Sequence, residues 1–501
     1  MIKIFRYFCN LKSKLAINNK LFKFIIICSF ISSVIYFFLG LFVLIAPRWP
    51  QIGYSYLHLK TFEGIYEFPK TKPYTIQIII PVIIFILIFI SIIYLLAYDK
   101  LISRQKLTKT FKITLIFSLI FTFGGGSVTL FIGLPEFQFY SYDADPYLTW
   151  NNLNGITQDP STSITICWHS KFISSSIVKY GKDPNKLDNI KKEYGLGRFH
   201  KVSLGNLDPN TTYYYKIDGF SLKKFYTPPK GNFNYSFFIW SDPRTNNPYS
   251  DAIEGISIPK IITNHLIEWN WSFDNFAFSI CAGDIVSRGV DYRDWKLWLN
   301  DITFNDFASN HSHIVAIGNH ERHDDISARN FLNYYPYLNK PEIHFSFSFN
   351  YGCVHFIILD RWYDLEPWYG GNGLAQAEWL KKDLIENNQS NFKILIMHPN
   401  PLLNDEHSGN CTLIKEVAKN YGVDVIFCGH WHYYLPTDFD LNQLNSSIVE
   451  NLCMMIGNGG TWKSLDYNGY ARVDVSSDML KIYYFISNSS IPKENYIILK
   501  K

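Results

Sequence analysis

The sequence predicts a multi-domain protein in which a membrane region with three transmembrane helices precedes a β-sandwich and an α/β domain. Three observations predict it: long uncharged apolar stretches near the start of the chain, then short β-rich runs between turn residues, then strand-like runs that alternate with helical stretches. The chain has 501 residues, of which 47% are hydrophobic and 17% aromatic, enough for several domains with an apolar surplus. The expected domain bounds are 1–137, 138–230 and 231–501.

The membrane region is predicted from residues 24–46, 74–98 and 113–134, which carry no charged side chain. Each stretch exceeds the roughly 20 residues that cross a bilayer core. The third contains the glycines 124–126. A cleaved signal peptide is the alternative for the first stretch. The apolar segment of a signal peptide is usually only about 7–15 residues long, and a signal peptide would not explain the other two stretches. We therefore expect multi-pass contact with membrane lipid.

Basic residues predict the orientation, because lysine and arginine favour the cytoplasmic side. They cluster before the first stretch and in the short connection between the second and third, whereas acidic residues dilute them in 47–73. The N-terminus is thus expected in the cytoplasm and the chain after Leu134 on the exoplasmic side. Cysteines such as Cys281, Cys353 and Cys428 lie in apolar runs, which favours buried free thiols even there. The net charge of +4 is too small to indicate a nucleic-acid partner.

The β-sandwich is predicted between Tyr147 and Tyr226. Short β-rich runs separated by turn residues are typical of this fold. The runs are "YLTW", "SITICWHS", "SIVKYG", "RFHKVSL", "TTYYYKIDG" and "KKFYT". The segment "TPPKGNFN" that follows is interpreted as a linker.

Five apolar runs in the α/β region each end in a side chain that can bind a metal ion. Because ligands bind outside the carboxyl ends of strands in α/β sheets, these side chains are expected around one crevice. Taken singly, each histidine is more typical of a structural hydrogen bond and each aspartate of a turn or helix cap. Carboxylate and imidazole at five strand ends together favour a metal site. The residues are Asp242, Asp284, Asn319 with His320, His398, and His430 with His432. The segment Gly373–Asn388 has helical spacing.

The ordered motifs resemble those of the calcineurin-like metallophosphoesterases, and within them the purple acid phosphatases, which place a β-sandwich before the catalytic domain. The matching residues are Asp242, "GD" at 283–284, "GNHE" at 318–321, His398 in "IMHP", and "GHWH" at 429–432. The resemblance implies a fibronectin-III-like sandwich and an α/β metallophosphoesterase domain of two packed mixed sheets flanked by helices. The resemblance does not extend to the predicted membrane region.

The resemblance also implies a site for two metal ions, Fe, Zn or Mn, bridged by Asp284. One ion would bind Asp242, Asp284 and His432, and the other would bind Asp284, Asn319, His398 and His430. Two cations about 3.5 to 4 Å apart activate a shared water as hydroxide for attack on phosphorus. The implied function is a membrane-anchored, acid phosphatase-like phosphoesterase that hydrolyses phosphate esters.

Two histidines outside the implied ligand set are candidate catalytic residues. His320 follows the ligand Asn319 and would donate to a phosphate oxygen or to the leaving group. His407 matches a substrate-facing position of the family, with an exposed loop histidine as the alternative.

Two positions depart from the family pattern. Arg244 stands where many members have the histidine of Asp-x-His, and arginine stays protonated and cannot be a ligand. It is interpreted as a phosphate-binding fork, with a surface or salt-bridging residue as the alternative. Ser287 stands where purple acid phosphatases have a tyrosine. The first metal is therefore expected to have three protein ligands and no tyrosinate colour.

Other functions remain open at this point. A phosphodiesterase or nucleotidase would use the same motifs, with specificity in loops such as Arg361–Gly373. A binding module that keeps the fold without turnover is a second alternative, although the intact ligand set argues against it. Membrane transport is a third, but the predicted spans hold none of the charged residues that usually mark such pathways.

Overall fold

The structure, a computed structural model, describes most of the chain after residue 142. The described residues are 143–150, 152–153, 156–157, 159–244, 257–272, 276–322, 325, 328–335, 337, 345–360, 374–403, 411–456, 469–486 and 488–500. They belong to one compact unit, Tyr140–Lys501. The predicted membrane helices at 24–46, 74–98 and 113–134 lie outside the described residues. Among the residues that are described, no helix is both long and apolar enough to span a bilayer.

Helices lie between the strands from Tyr235 to Cys428, and only strands follow among the described elements. The strands are β1 Ala144–Thr149, β2 Asn152–Leu153, β3 Ile156–Thr157, β4 Ile164–Gly181, β5 Asn189–Leu204, β6 Thr211–Lys216, β7 Lys223–Thr227, β8 Tyr235–Trp240, β9 Phe278–Cys281, β10 Ser312–Val315, β11 Phe347–Tyr351, β12 Val354–Leu359, β13 Phe392–Met397, β14 Val425–Cys428, β15 Tyr434–Thr437, β16 Leu452–Ile456, β17 Gly469–Val475, β18 Met479–Ile486 and β19 Glu494–Leu499. The helices are α1 Ile258–Glu268, α2 Tyr292–Ile302, α3 Phe307–Asn310, α4 Asn319–Arg322, α5 Arg329–Tyr334, α6 Leu374–Glu386 and α7 Thr412–Asn420, with a 3-10 turn at Phe304–Asp306.

The region of the predicted sandwich is β-rich, as expected, but its strands differ in length from the prediction. The runs "SITICWHS" and "SIVKYG" form the single strand β4, because β5 pairs with it on both sides of an irregularity between His169 and Ser174. Strand β1 pairs antiparallel with β4 and parallel with β10. The strands β1 and β4–β7 therefore continue a sheet of the α/β region.

The α/β region contains two mixed sheets, which confirms that part of the predicted fold. The larger sheet has the order β19-β18-β17-β8-β9-β10-β1-β4-β6-β7, and the second has the order β11-β12-β13-β14-β16-β15. Strands β8, β9 and β10 are mutually parallel, and so are β12, β13, β14 and β16. Helix α6 confirms the prediction for 373–388.

The two sheets pack face to face through aromatic side chains. Phe356 of β12 lies 5.3 Å, centroid to centroid, from both Phe237 of β8 and Phe278 of β9. The next residue, Ile357, points the other way, into a second buried cluster with Leu380 of α6. Strands covered on both faces need apolar side chains at nearly every position, which explains the continuous apolar runs of the sequence. The cysteines 281, 353 and 428 are buried free thiols, as predicted.

Candidate metal centre

The ligand residues of the first two motifs follow neighbouring parallel strands. Asp242 lies two residues after β8 and Asp284 three residues after β9, and both carboxylates are fully buried. Both have left-handed backbone conformations, with φ of 54° and 55°. His430 and His432, after β14, have φ of 75° and 57°. Such conformations are costly for residues other than glycine and concentrate at functional sites, so the strand ends are bent to aim these side chains inward.

The glycines of the motifs are required by the close approach of these side chains. A Cβ atom on Gly318 would lie 2.2 Å from Asp284 Oδ1, and one on Gly429 would lie 2.3 Å from Asp242 Oδ2. A Cβ atom on Gly283 would lie 2.7 Å from His398 Nδ1. Each glycine precedes one ligand in the sequence and makes room for another.

One set of side chains, here named the second group, consists of Asp284, Asn319, His398 and His430. Ligand atoms of Asp284, His398 and His430 all lie within 4.8 Å of one another. Asn319 Oδ1 lies 3.2 Å from His398 Nε2 and 3.1 Å from His430 Nδ1. His398 donates from Nδ1 to the carbonyl of Ala282 at 2.7 Å, which directs Nε2 into the group.

The other set, here named the first group, consists of Asp242, Asp284 and His432, whose ligand atoms also lie within 4.8 Å of one another. His432 Nε2 is 3.2 Å from Asp242 Oδ1. Asp242 Oδ2 accepts the backbone N–H of His430 at 2.9 Å, which ties the two motifs together. Asp284 thus contributes to both groups.

The electrostatics of the pair favour cations. Burial opposes the ionisation of Asp242, but His398 and His432 hold its pKa at about 2. Burial likewise opposes the ionisation of Asp284, yet His398, His320 and Arg244 hold its pKa well below the usual range. Burial disfavours the charge on His398, but Asp284 and Asp242 raise its pKa to about 9. A metal ion that binds His398 therefore displaces a proton.

Arg244 lies against the shared aspartate. Its Nη2 donates to Asp284 Oδ2 at 2.7 Å and its Nε donates to the same oxygen at 3.2 Å. The side chain is 13% exposed. In this structure, the predicted phosphate-binding fork is in contact with a candidate metal ligand.

His320 and Ser287 are neighbours beside the shared aspartate. The backbone N–H of His320 donates to Asp284 Oδ1 at 2.9 Å, and its ring Nδ1 donates to the carbonyl of Ser287 at 2.6 Å. This leaves His320 Nε2 3.8 Å from Asp284 Oδ2, with the side chain 22% exposed. His320 is thus held at the edge of both groups.

Glu321 belongs to the candidate site, although it is not among the residues predicted for it. Its buried carboxylate accepts the backbone N–H groups of Asp284, Ile285, Val286 and Gly318, at 3.0, 2.8, 3.2 and 2.6 Å. It therefore fixes the turn that carries the shared aspartate. The last letter of "GNHE" was the available sequence signal.

His407 and the loop Arg361–Gly373 lie outside the described residues. Both stay predictions.

The donor set fits two metal ions. Each group combines carboxylate oxygen with imidazole nitrogen, and the second adds an amide oxygen, a mixture suited to Fe, Zn or Mn. The tight cradle around Gly318 and Gly429, which a single Cβ atom would fill, keeps the carboxylates in place. The fold and these two groups define the class: an α/β protein with a candidate dinuclear metal centre at the carboxyl ends of its strands.

The comparison with known proteins agrees with that class. Residues 261–434 match the family model described as calcineurin-like phosphoesterase, and residues 152–244 match that of the purple acid phosphatase N-terminal domain. The chain is 27% identical over 261 residues to probable purple acid phosphatase 20 of Arabidopsis thaliana, covering 48% of this chain and 56% of that protein. It is 24% identical over 283 residues to purple acid phosphatase 22 of the same plant, covering 52% of this chain and 60% of that one. The chain thus spans less than two thirds of either relative.

Solved structures show the same fold. A purple acid phosphatase from yellow lupin (Lupinus luteus) seeds superimposes with a TM-score of 0.52 at 16% identity, covering 71% of this chain and 74% of the other. PhoD superimposes with a TM-score of 0.51 at 13% identity, covering 70% and 88%.

Proposed function

We propose that this protein is a membrane-anchored, metal-dependent phosphoesterase that hydrolyses phosphate esters in the manner of an acid phosphatase. One observation carries the proposal: two groups of metal-binding side chains share the buried carboxylate of Asp284. The matches to the phosphoesterase and purple acid phosphatase families support the same chemistry.

The metals and the protein have separate tasks in this proposal. When bound, two cations lower the pKa of a shared water and neutralise the oxygens of a phosphoryl group. His320 is held by Ser287 so that its other ring nitrogen, Nε2, lies at the edge of both groups. As the imidazolium, protonated on both nitrogens, it can give the Nε2 proton to the leaving oxygen and return to the neutral ring. Glu321 keeps Asp284 in register through backbone hydrogen bonds.

Membrane anchorage and topology are further parts of the proposal. The uncharged stretches 24–46, 74–98 and 113–134 support it, together with the lysines and arginines around them. The N-terminus would be cytoplasmic and the metal centre exoplasmic. Protease added to intact cells should then cleave the domain after Leu134. Protection of that domain until lysis would contradict the topology without touching the chemistry.

The activity is tested with the full-length protein in detergent. Chelation should abolish hydrolysis, and Mn²⁺, Zn²⁺ or Fe should restore it on a panel of phosphomonoesters, phosphodiesters, nucleotides and lipid headgroups. The preferred ester separates a phosphatase from a phosphodiesterase or nucleotidase. Metal binding without hydrolysis of any ester would instead favour the binding module. Full activity in metal-free protein would contradict the proposal.

A further inference from the structure

The carboxylate of Asp284 belongs to the first group and is also in contact with the guanidinium of Arg244. Both donor atoms of Arg244, Nη2 and Nε, point to Asp284 Oδ2, at 2.7 and 3.2 Å. The other oxygen, Oδ1, accepts the backbone N–H of His320 at 2.9 Å and lies 3.2 Å from His398 Nε2 in the second group. The two oxygens of the shared aspartate are therefore used differently: one faces the second group and the other faces an arginine.

The backbone holds Arg244 in this position. Its N–H donates to the carbonyl of Asp284 at 3.1 Å, and the N–H of Asp242 donates to the carbonyl of Gly283 at 3.0 Å. Arg244 has φ of 34°, a conformation that is costly for a residue with a side chain. The surrounding hydrogen bonds stabilise this strained turn, so the contact between guanidinium and carboxylate is a built feature of the strand end.

The formal charges explain what the arginine does. Asp242 and Asp284 place two negative charges in a fully buried setting, where His398 faces both carboxylates and Arg244 contacts Asp284 alone. A guanidinium keeps its proton at any pH at which proteins are folded, so it supplies charge but never a ligand atom. A cation entering the first group meets a positive charge that already lies on the carboxylate of one of its ligands, Asp284.

We propose that Arg244 is a built-in counter-cation of the shared aspartate, which makes the first group the weaker of the two metal sites. It stabilises Asp284 when the first group holds no metal, and it leaves Oδ2 when a metal binds there. The released guanidinium is then available to a phosphate oxygen. This inference deepens the proposed function and rests on its dinuclear site.

Calorimetric titration of Zn²⁺ into the full-length protein, after its metal has been removed with a chelator, tests whether the first group is the weaker site. Wild type should show a tight and a weak binding event. In Arg244→Gln and Arg244→Ala the weak event should become about 10- to 100-fold tighter, because a unit charge a few ångströms away is removed. The tight event should change much less. The metal content after dialysis, measured by elemental analysis, should accordingly be about one ion per chain in wild type and about two in these variants.

A second arginine provides a matched control. Arg322 donates to the buried carboxylate of Asp360 at 2.6 Å and its side chain is 16% exposed, but neither residue belongs to the metal groups. Arg322→Gln should leave the weak event unchanged. Circular dichroism should first show that Arg244→Gln and Arg244→Ala are folded. If the Zn²⁺ affinities of both binding events in these variants stay within about twofold of wild type, the counter-cation role is wrong.

The release of the guanidinium has its own readout. Inorganic phosphate should bind the fully Zn²⁺-loaded wild type about tenfold or more tightly than it binds loaded Arg244→Gln. Equal phosphate affinity would show that Arg244 stays on Asp284 and would remove the second part of the inference. Neither titration depends on turnover. Altered metal affinity in a protein that hydrolyses no ester would therefore overturn the proposed function and leave the counter-cation role standing.

Discussion

The two metal groups share Asp284 but differ in completeness. The second group has four donors from four elements of the fold, and its histidine His398 is oriented by the carbonyl of Ala282. The first group has three evident donors, and Arg244 lies against the carboxylate of the shared aspartate. We therefore expect the two groups to bind metal ions with unequal affinity, although they share Asp284, because the other side chains around this aspartate differ.

The largest effect should come from Asp284→Asn, because it removes charge from both groups at once. We expect loss of both metals and a fall in hydrolysis of at least about 1000-fold. Metal content by elemental analysis and the hydrolysis rate check this together.

Asp360→Asn is the control for that change. Asp360 is also fully buried and paired with an arginine, but it lies outside both groups. It should retain its metals. Full activity of Asp284→Asn protein without bound metal would refute the assignment of both groups.

Arg244→His should separate metal affinity from turnover. The substitution removes the guanidinium and offers the first group a fourth ligand, so metal should be retained more tightly. If the arginine also binds the substrate phosphate, turnover should fall by about 100- to 1000-fold. Dialysis against chelator followed by a kinetic assay measures both. Wild-type turnover in both Arg244→His and Arg244→Ala would show that phosphate is held by other groups.

Glu321→Gln should lower the metal affinity of both groups by less than Asp284→Asn does, because Glu321 acts through the turn that carries Asp284. An amide offers one acceptor oxygen to the backbone N–H groups that two carboxylate oxygens accept in wild type. Loss of such a supporting interaction typically costs about 10- to 100-fold in metal affinity. Equal weakening of both Zn²⁺ binding events is expected, and a change confined to one event would mean that Glu321 supports that group alone.

Much of this centre was predictable from the sequence because strand ends are fixed by local patterns. The apolar runs before Asp242, Asp284 and His398 are strands, and parallel neighbours bring their ends together. The contact between Arg244 and Asp284 was not predictable, since it depends on a left-handed turn and joins residues 40 positions apart. The role of Glu321 was not predictable for a similar reason. Its partners are backbone N–H groups, which nearly every residue has, so the sequence does not show which of them it contacts.

The strand lengths show another limit. The sequence predicts separate strands from the runs "SITICWHS" and "SIVKYG", yet β4 continues through the residues between them. The chain remains extended there because β5 supplies a partner on both sides of the irregular segment. A turn signal within a strand can therefore become a bulge when the partner strand is long enough.

The smallest expected effect is optical. A purple colour arises when a phenolate bound to iron transfers charge to the metal, and Ser287 stands where such a tyrosine would be. Iron-loaded wild type should therefore show no visible absorption band. Ser287 is 5% exposed, and its hydroxyl has no hydrogen-bond partner among the described atoms, so the side chain is buried beside the centre without a hydrogen bond of its own. Ser287→Tyr should create a visible band if position 287 reaches the first group, while Ser287→Phe, of nearly the same size but without a phenolate, should stay colourless. A coloured wild type would mean that another phenolate binds iron, and the first group would then have a fourth ligand despite Arg244.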